Sequence, residues 1–277
     1  ALLSWGTWWA IPAFIVYGNI YSFLNARWHE FGHRSAFKTR KLNDFFYHIS
    51  SFLCYFEAHK WRWSHTHHHS RTIHLGIDYE VQVPRPPSLA NLFFRDLFAL
   101  DRVWAEFKSV FLHSIGIMTA VAEDCVPESE RWKMIWNCRL YMFLKIILIS
   151  WAFMIGSFLP LMFIITPLFY GGVLLQFVTM LQHGGLKADS WDHRESTRTV
   201  YFNPLLGWLL YFNMQYHVEH HIYPQIPFYN LPKVHDLIKD QCPPANKNLF
   251  DALREMIPAI LKQTKDPKYY IIKKIPQ

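Results

Sequence analysis

Sixteen histidines stand among 277 residues, and nine of them are spaced in ways that can do chemistry. His29 and His33, in the stretch RWHEFGHRSAF, are four residues apart. HTHHH supplies His65, His68 and His69 at i, i+3 and i+4, and HVEHH supplies His217, His220 and His221 at the same spacing. Residues three and four apart share one face of a helix, so each set can aim two or three ring nitrogens at one point. His183, directly after a long apolar run, is placed to add a ninth. Imidazole nitrogen is a ligand for zinc, copper, iron and nickel, so the pattern points to metal chemistry.

Read alone, the five residues HEFGH match the zinc-protease pattern H-E-x-x-H, with Glu30 as general base. A catalytic zinc, however, takes three protein ligands and keeps one position for water. A protease site would leave His65, His68, His69, His217, His220 and His221 without a role. Nine histidines fit two metal ions with four or five nitrogen ligands each, and nitrogen-rich sites with open positions suit iron. Two irons in a dry pocket can bind and activate O2. A metal transporter or store would carry polar ligands inside its apolar spans, near the membrane midplane. Here those spans contain no histidine.

The elements that must position these residues follow from the hydropathy. Trp5 to Ala26 carries no charge, and Leu140 to Gln182 carries only Lys145. A crossing helix needs about 20 apolar residues, so the pattern predicts membrane spans over 5–26, 140–158 and 160–182, with a turn at Gly156 to Pro160. The apolar piece 43–57 is too short to cross and contains His48, so it is expected to lie in the interface. By parity, every histidine-rich segment then emerges on one face. Arg27, Arg34, Lys38, Arg40 and Lys41 follow the first span, and Lys187, Arg194 and Arg198 follow the last, which marks that face as cytoplasmic. The net charge of +7 is accounted for by this placement and by anionic headgroups, with no nucleic acid required. Segments such as Leu89–Val121 and Asn230–Lys262 mix apolar and charged positions at helical spacing, and no series of alternating strands is present. The expected fold is an all-α integral membrane protein, a single domain over 1–277, with a cytoplasmic helical cap from 59–139 and 183–277. The first span lacks the basic leader and small-residue cleavage site of a signal peptide. The chain begins at Ala1 without Met, and residues upstream of it are expected. Cys54, Cys125, Cys138 and Cys242 form no C-x-x-C pair and read as reduced thiols in packing positions.

The order H-x-x-x-H, H-x-x-H-H, H-x-x-H-H, interleaved with spans, resembles the three histidine boxes of the membrane fatty acid desaturase and hydroxylase superfamily. WRWSHTHHH around the second box and YHVEHHIYPQIPFYNLPKVH around the third strengthen the resemblance, which covers nearly the whole chain. It implies a di-iron oxidoreductase, cycling between ferrous and ferric iron, that uses O2 to take hydrogen from an unactivated C–H bond of a lipid or fatty acyl chain. Electrons would come from an external donor of ferredoxin, rubredoxin or cytochrome b5 type. Carried over position by position, the ligands would be His29, His33, His65, His68, His69, His183, His217, His220 and His221. Desaturation is the leading reaction. Hydroxylation, monooxygenation or ketolation of a lipid, hydrocarbon or terpenoid chain is the alternative on the same ligands. Two departures stand out: three crossings against the usual four, and a short H-x3-H first box closer to compact bacterial or carotenoid-ketolase-like members.

Around the boxes, His67 sits off the ligand face. Asn213, four residues before His217, can hold a water near iron, or cap or pack. Glu30 and Glu219 can accept the second N–H of a metal-bound imidazole or form a salt bridge, and Asp78, Glu80, Asp189, Asp192 and His193 share that ambiguity. Arg194 and Arg198 can meet an anionic headgroup, a donor protein or the membrane surface.

Overall fold

The computed structural model describes residues 1–81, 85–93, 98 and 100–276. Among them the chain is helical without a strand. The helices are α1 (Ala10–Ser22), α2 (Leu24–His33), α3 (Arg40–Cys54), α4 (Ala58–Ser70), the single turn α5 (Leu89–Asn91), α6 (Leu100–Ser114), α7 (Ala120–Cys125), α8 (Glu128–Met154), α9 (Pro167–Gly171), α10 (Val173–His183), α11 (His193–Ser196), α12 (Pro204–Leu209), α13 (His217–Ile222), α14 (Leu231–Ile238) and α15 (Leu249–Gln263). Two isolated bridges, Thr199 with Tyr216 and Val200 with Asn246, tie the segment before α12 to those before α13 and α15.

The apolar runs divide differently from the expected spans. Only α8, at 27 residues, is long and apolar enough among the described residues to cross a membrane by itself. It begins twelve residues before the expected 140, because Glu128 and Glu130 occupy the first turn, where the helix dipole favours acidic groups. The expected third crossing, 160–182, is a π-helical turn at Leu161–Ile165 followed by α9 and α10. Pro167 and the pair Gly171-Gly172 interrupt it, since proline cannot donate to the preceding turn and glycine weakens a helix interior. The first run likewise breaks after Ser22, so α1 contributes 13 residues. Both α1 and α8 expose apolar side chains along their length, including Ile11, Ile15 and Ile20 on α1 and Phe143, Ile147 and Trp151 on α8.

Most of the piece expected to lie in the interface belongs to α3, which starts after Thr39 and ends at Tyr55 in the left-handed region. Of the segment Leu89–Val121, α5 and α6 are seen; residues 94–97 and 99 lie outside the described residues, as do 82–84 in the expected cap. Asn230–Lys262 forms α14 and α15, separated at Pro243-Pro244.

Packing fixes α2 against α3 and α4. Trp28 is buried among Tyr47, Phe56 and Trp61, with ring centroids 4.2 Å from Phe56 and 3.9 Å from Trp61, and its indole N–H donates to Ser51 Oγ at 2.9 Å. Gly32 is what lets Trp61 in: a Cβ there would lie 2.4 Å from Trp61 Cζ3. α4 is further held by its N-cap Glu57, which accepts from Lys60 N at 2.6 Å and from Asn137 Nδ2 of α8 at 2.7 Å. Lys60 Nζ reaches Glu106 of α6 at 2.6 Å.

Candidate metal centre

The helices α2, α4, α10 and α13 converge, and all nine expected histidines meet there in two sets. His29, His33, His65, His69 and His220 form one, and His68, His183, His217 and His221 the other. Each H-x-x-H-H motif divides between the sets. α4 gives His65 and His69 to the first and His68 to the second, while α13 gives His220 to the first and His217 and His221 to the second. The sets abut, with the His69 and His221 rings stacked at 4.4 Å between centroids.

Within each set the Nε2 atoms face one another. His65 Nε2 lies 2.8 Å from His33 Nε2 and 3.0 Å from His69 Nε2, and His69 Nε2 lies 3.1 Å from His220 Nε2. In the second set His217 Nε2 is 2.9 Å from His183 Nε2 and 3.1 Å from His221 Nε2. Burial pushes most of these rings well below the usual histidine range, His33 and His183 to about 3, so they are neutral at pH 7. For His68 burial also pushes down, but the hydrogen bond and charge of Asp78 outweigh it and raise the ring.

A neutral imidazole has one ring proton. His183 Nδ1 lies 2.9 Å from the Ser196 carbonyl, and His68 Nδ1 lies 2.9 Å from Asp78 Oδ2; neither oxygen can donate, so both Nδ1 atoms carry the proton. His183 is neutral, so its Nε2 is a bare lone pair, and it faces His217 Nε2 at 2.9 Å. His29, His69, His217 and His220 have buried Nδ1 atoms with no hydrogen-bond partner, so nothing on their outer side competes for the inner nitrogen. Lone pairs converging in this way call for a cation at their focus. Two nitrogens each about 2.1 Å from one metal and at right angles lie about 3.0 Å apart, the spacing found here. The donor set is all imidazole, with five nitrogens in one set and four in the other, and it fits iron.

Carboxylates steady the rings, but not those adjacent to the ligands in sequence. Asp78 holds His68 and also accepts from Ile73 N, Glu80 N and Val81 N, at 2.8 to 3.2 Å. Burial pushes Asp78 up, and these hydrogen bonds outweigh it and keep it well below the usual range. Glu80 meets His65 Nδ1 at 2.8 Å and is itself pushed up to about 7 by burial. Thr72 Oγ1 meets His221 Nδ1 at 3.1 Å.

Glu30 and Glu219 turn away from the histidine sets, because on a helix they lie opposite the face that carries the clustered rings. Glu30 Oε1 accepts from Ser35 Oγ at 2.8 Å and Phe228 N at 3.0 Å, tying the first box to the segment after the third. Glu219 accepts from Thr199 Oγ1 at 2.6 Å and meets His235 Nδ1 at 2.5 Å, anchoring the back of α13. Asn213, in the left-handed region at φ 53, donates to the Phe228 carbonyl and accepts from Gln215, rather than facing a ring. His67 joins neither set. Asp189 accepts from Leu75 N, and Asp192 caps α11 and pairs with Arg194. His193 lies beside Thr72 and 5.4 Å from the His221 ring.

Arg198 is 2% exposed, so it meets no surface; it donates to the Leu181 and Gly184 carbonyls at the end of α10 and pairs with Glu255 at 3.2 Å. No spacing rule anticipates that role, because Arg198 lies beyond α11 in sequence and reaches the end of α10 only through the fold. Nothing in the spacing foretold that Trp61 would stack on His65, centroids 4.0 Å apart, beyond its position four residues earlier.

The family model for fatty acid desaturases matches residues 4–252, and the chain belongs to that family. It is 26% identical over 257 residues to the Delta(5) fatty acid desaturase of Caenorhabditis elegans, covering 83% of this chain and 57% of the relative. It is 26% identical over 258 residues to the chloroplastic omega-3 fatty acid desaturase of Glycine max, covering 86% and 54%. To the sn-1 acyl-lipid omega-3 desaturase (ferredoxin) of a Nostoc strain it is 23% identical over 250 residues, covering 84% and 68%. The chain thus spans a little over half the length of the first two relatives.

Proposed function

We propose that this chain is an O2-dependent di-iron membrane oxidoreductase that desaturates a hydrophobic acyl chain. The observation that carries the reading is the pair of abutting histidine sets, with Nε2 atoms facing one another at 2.8 to 3.1 Å. His29, His33, His65, His69 and His220 would hold one iron, and His68, His183, His217 and His221 the other. Bound there, iron supplies O2-dependent removal of hydrogen from an unactivated C–H bond.

The protein's own part is to hold and orient. Asp78 and Glu80 fix the rings of His68 and His65, and the Ser196 carbonyl fixes His183. The burial of His65, His68, His183, His217, His220 and His221 excludes water from the reacting region, which favours hydrogen removal over side reactions. The Nε2 atoms of His33, His65, His69, His183, His217, His220 and His221 point at their own clusters, which leaves these rings no place as acid or base.

The exposed apolar faces of α1 and α8, and the run from Leu161 through α10, support a bilayer location. The basic residues flanking these elements support a cytoplasmic placement of the histidine sets. An acyl lipid as substrate is supported by the names of the relatives. An external electron donor is supported by the ferredoxin in the name of the Nostoc relative.

Metal analysis of the purified chain is the first test. Two irons per chain are expected, and a single zinc without iron would overturn the reading. Incubation with a lipid extract, a reducing donor and ¹⁸O2 should then give acyl products lighter by two hydrogens and free of label. Labelled alcohol as the product would place the chain among hydroxylases instead.

A further inference from the structure

The second box contains a histidine that neither set uses. His67 turns away from the cluster toward α7, and its Nδ1 lies 3.9 Å from Cys125 Sγ. Asp124 brings a carboxylate oxygen to the same place, and the three ligand atoms all lie within 4.8 Å of one another. α7 is held in position from its other end. Thr119 caps it through Ala122 N, and His113 Nε2 meets Thr119 Oγ1 at 3.0 Å. Cys125 is buried and Asp124 exposed, so the group is built on one side and open to solvent on the other.

With Zn–S about 2.3 Å and Zn–N about 2.0–2.1 Å in a tetrahedron, sulfur and nitrogen lie about 3.6 Å apart, close to the separation here. Thiolate, imidazole and carboxylate together suit a borderline divalent ion of the zinc class, with water in the fourth position. We propose that His67, Asp124 and Cys125 form a third cation site, for zinc or a zinc-like divalent ion, distinct from the two histidine sets. Binding releases the thiol proton of Cys125 to solvent and joins α4 to α7. It also reaches the histidine sets indirectly. Tyr79 OH donates to Asp124 Oδ2 at 3.0 Å, and Tyr79 stands between Asp78 and Glu80, whose carboxylates hold His68 and His65. The site does not depend on the reaction proposed above.

Cobalt(II) added to the iron-loaded chain is the probe. One equivalent should bind beyond the iron, with a thiolate-to-cobalt charge-transfer band in the near ultraviolet that added zinc abolishes. Cys54, Cys138 and Cys242 belong to no such group among the described residues, so the band reports Cys125. Cys125→Ser should remove the band and leave the iron content unchanged. Asp124→Asn, at an exposed position the fold tolerates, should weaken cobalt binding about tenfold or more. The proposal is overturned by a missing band in the unaltered chain, by a band that survives Cys125→Ser, or by unchanged cobalt affinity in Asp124→Asn. Should Cys125→Ser fail to fold, the affinity of Asp124→Asn still decides.

Discussion

At the scale of single residues, the clustered histidines depend on the groups that aim them. Asp78 and Glu80 each serve a different set, which makes them separable. Asp78→Asn is expected to weaken metal binding at the four-histidine set about 10- to 100-fold, and Glu80→Gln to do the same at the five-histidine set. Chelator competition followed by iron counting would read this as loss of one iron before the other; simultaneous loss of both would sink the assignment. Glu30 has a different role. Replacing it with Ala removes the acceptor of the partly buried Phe228 N–H, at a cost of about 1 kcal/mol in stability measured by thermal unfolding, with both irons retained. Glu30→Gln keeps an acceptor and should cost less. Eight of the nine clustered histidines were legible in the sequence because i, i+3, i+4 spacing has one geometric meaning on a helix, whereas His183 was placed by its position after an apolar run. Asp78 and Glu80 stood out less, since they sit in an irregular segment whose path no periodicity dictates, and acidic residues in such segments usually face solvent.

At the scale of elements, the glycine of HEFGH shows how a helix crossing reaches the histidine sets. Gly32 allows Trp61 to pack against α2, and Trp61 in turn carries the His65 ring on its face. Gly32→Ala would force a buried indole, closed in by Trp28, to move. The expected result is a loss of about 1–3 kcal/mol from overpacking together with reduced iron in the five-histidine set, checked by unfolding and metal analysis. An unchanged iron content would show that Trp61 is not what positions His65. α1 and α9 make a similar crossing where Gly18 meets Gly171. A Cβ on Gly171 would lie 2.0 Å from the Gly18 carbonyl carbon, so Gly171→Ala should destabilise the chain with the metal sets intact. These contacts explain why the number of apolar stretches was readable but their division into helices was not. Hydropathy reports composition over about 20 residues, whereas the breaks at Ser22, Pro167 and Gly171-Gly172 are set by local backbone chemistry and by which helix lies across them.

At the scale of the whole molecule, the histidine sets are cross-links. His29 and His220 belong to the same set although they lie near opposite ends of the chain, and the second set joins α4, α10 and α13. In an unfolded chain these nitrogens are dispersed, so a cation that binds them stabilises the fold by mass action, about 2.7 kcal/mol per site when free metal is a hundred times its Kd. Without a cation, the folded chain must hold ring nitrogens 2.8 to 3.1 Å apart, with one ring proton per neutral imidazole to share among several close nitrogens. Stripping iron with a chelator should therefore lower the unfolding midpoint, and ferrous iron added back without oxygen should restore it. The rise should follow the logarithm of free iron, and it should be smaller in His183→Ala, which retains only the five-histidine set intact. A midpoint indifferent to iron would mean that packing alone holds the four helices together. The rings would then be core histidines with partners of their own, and the di-iron reading would lose its physical basis.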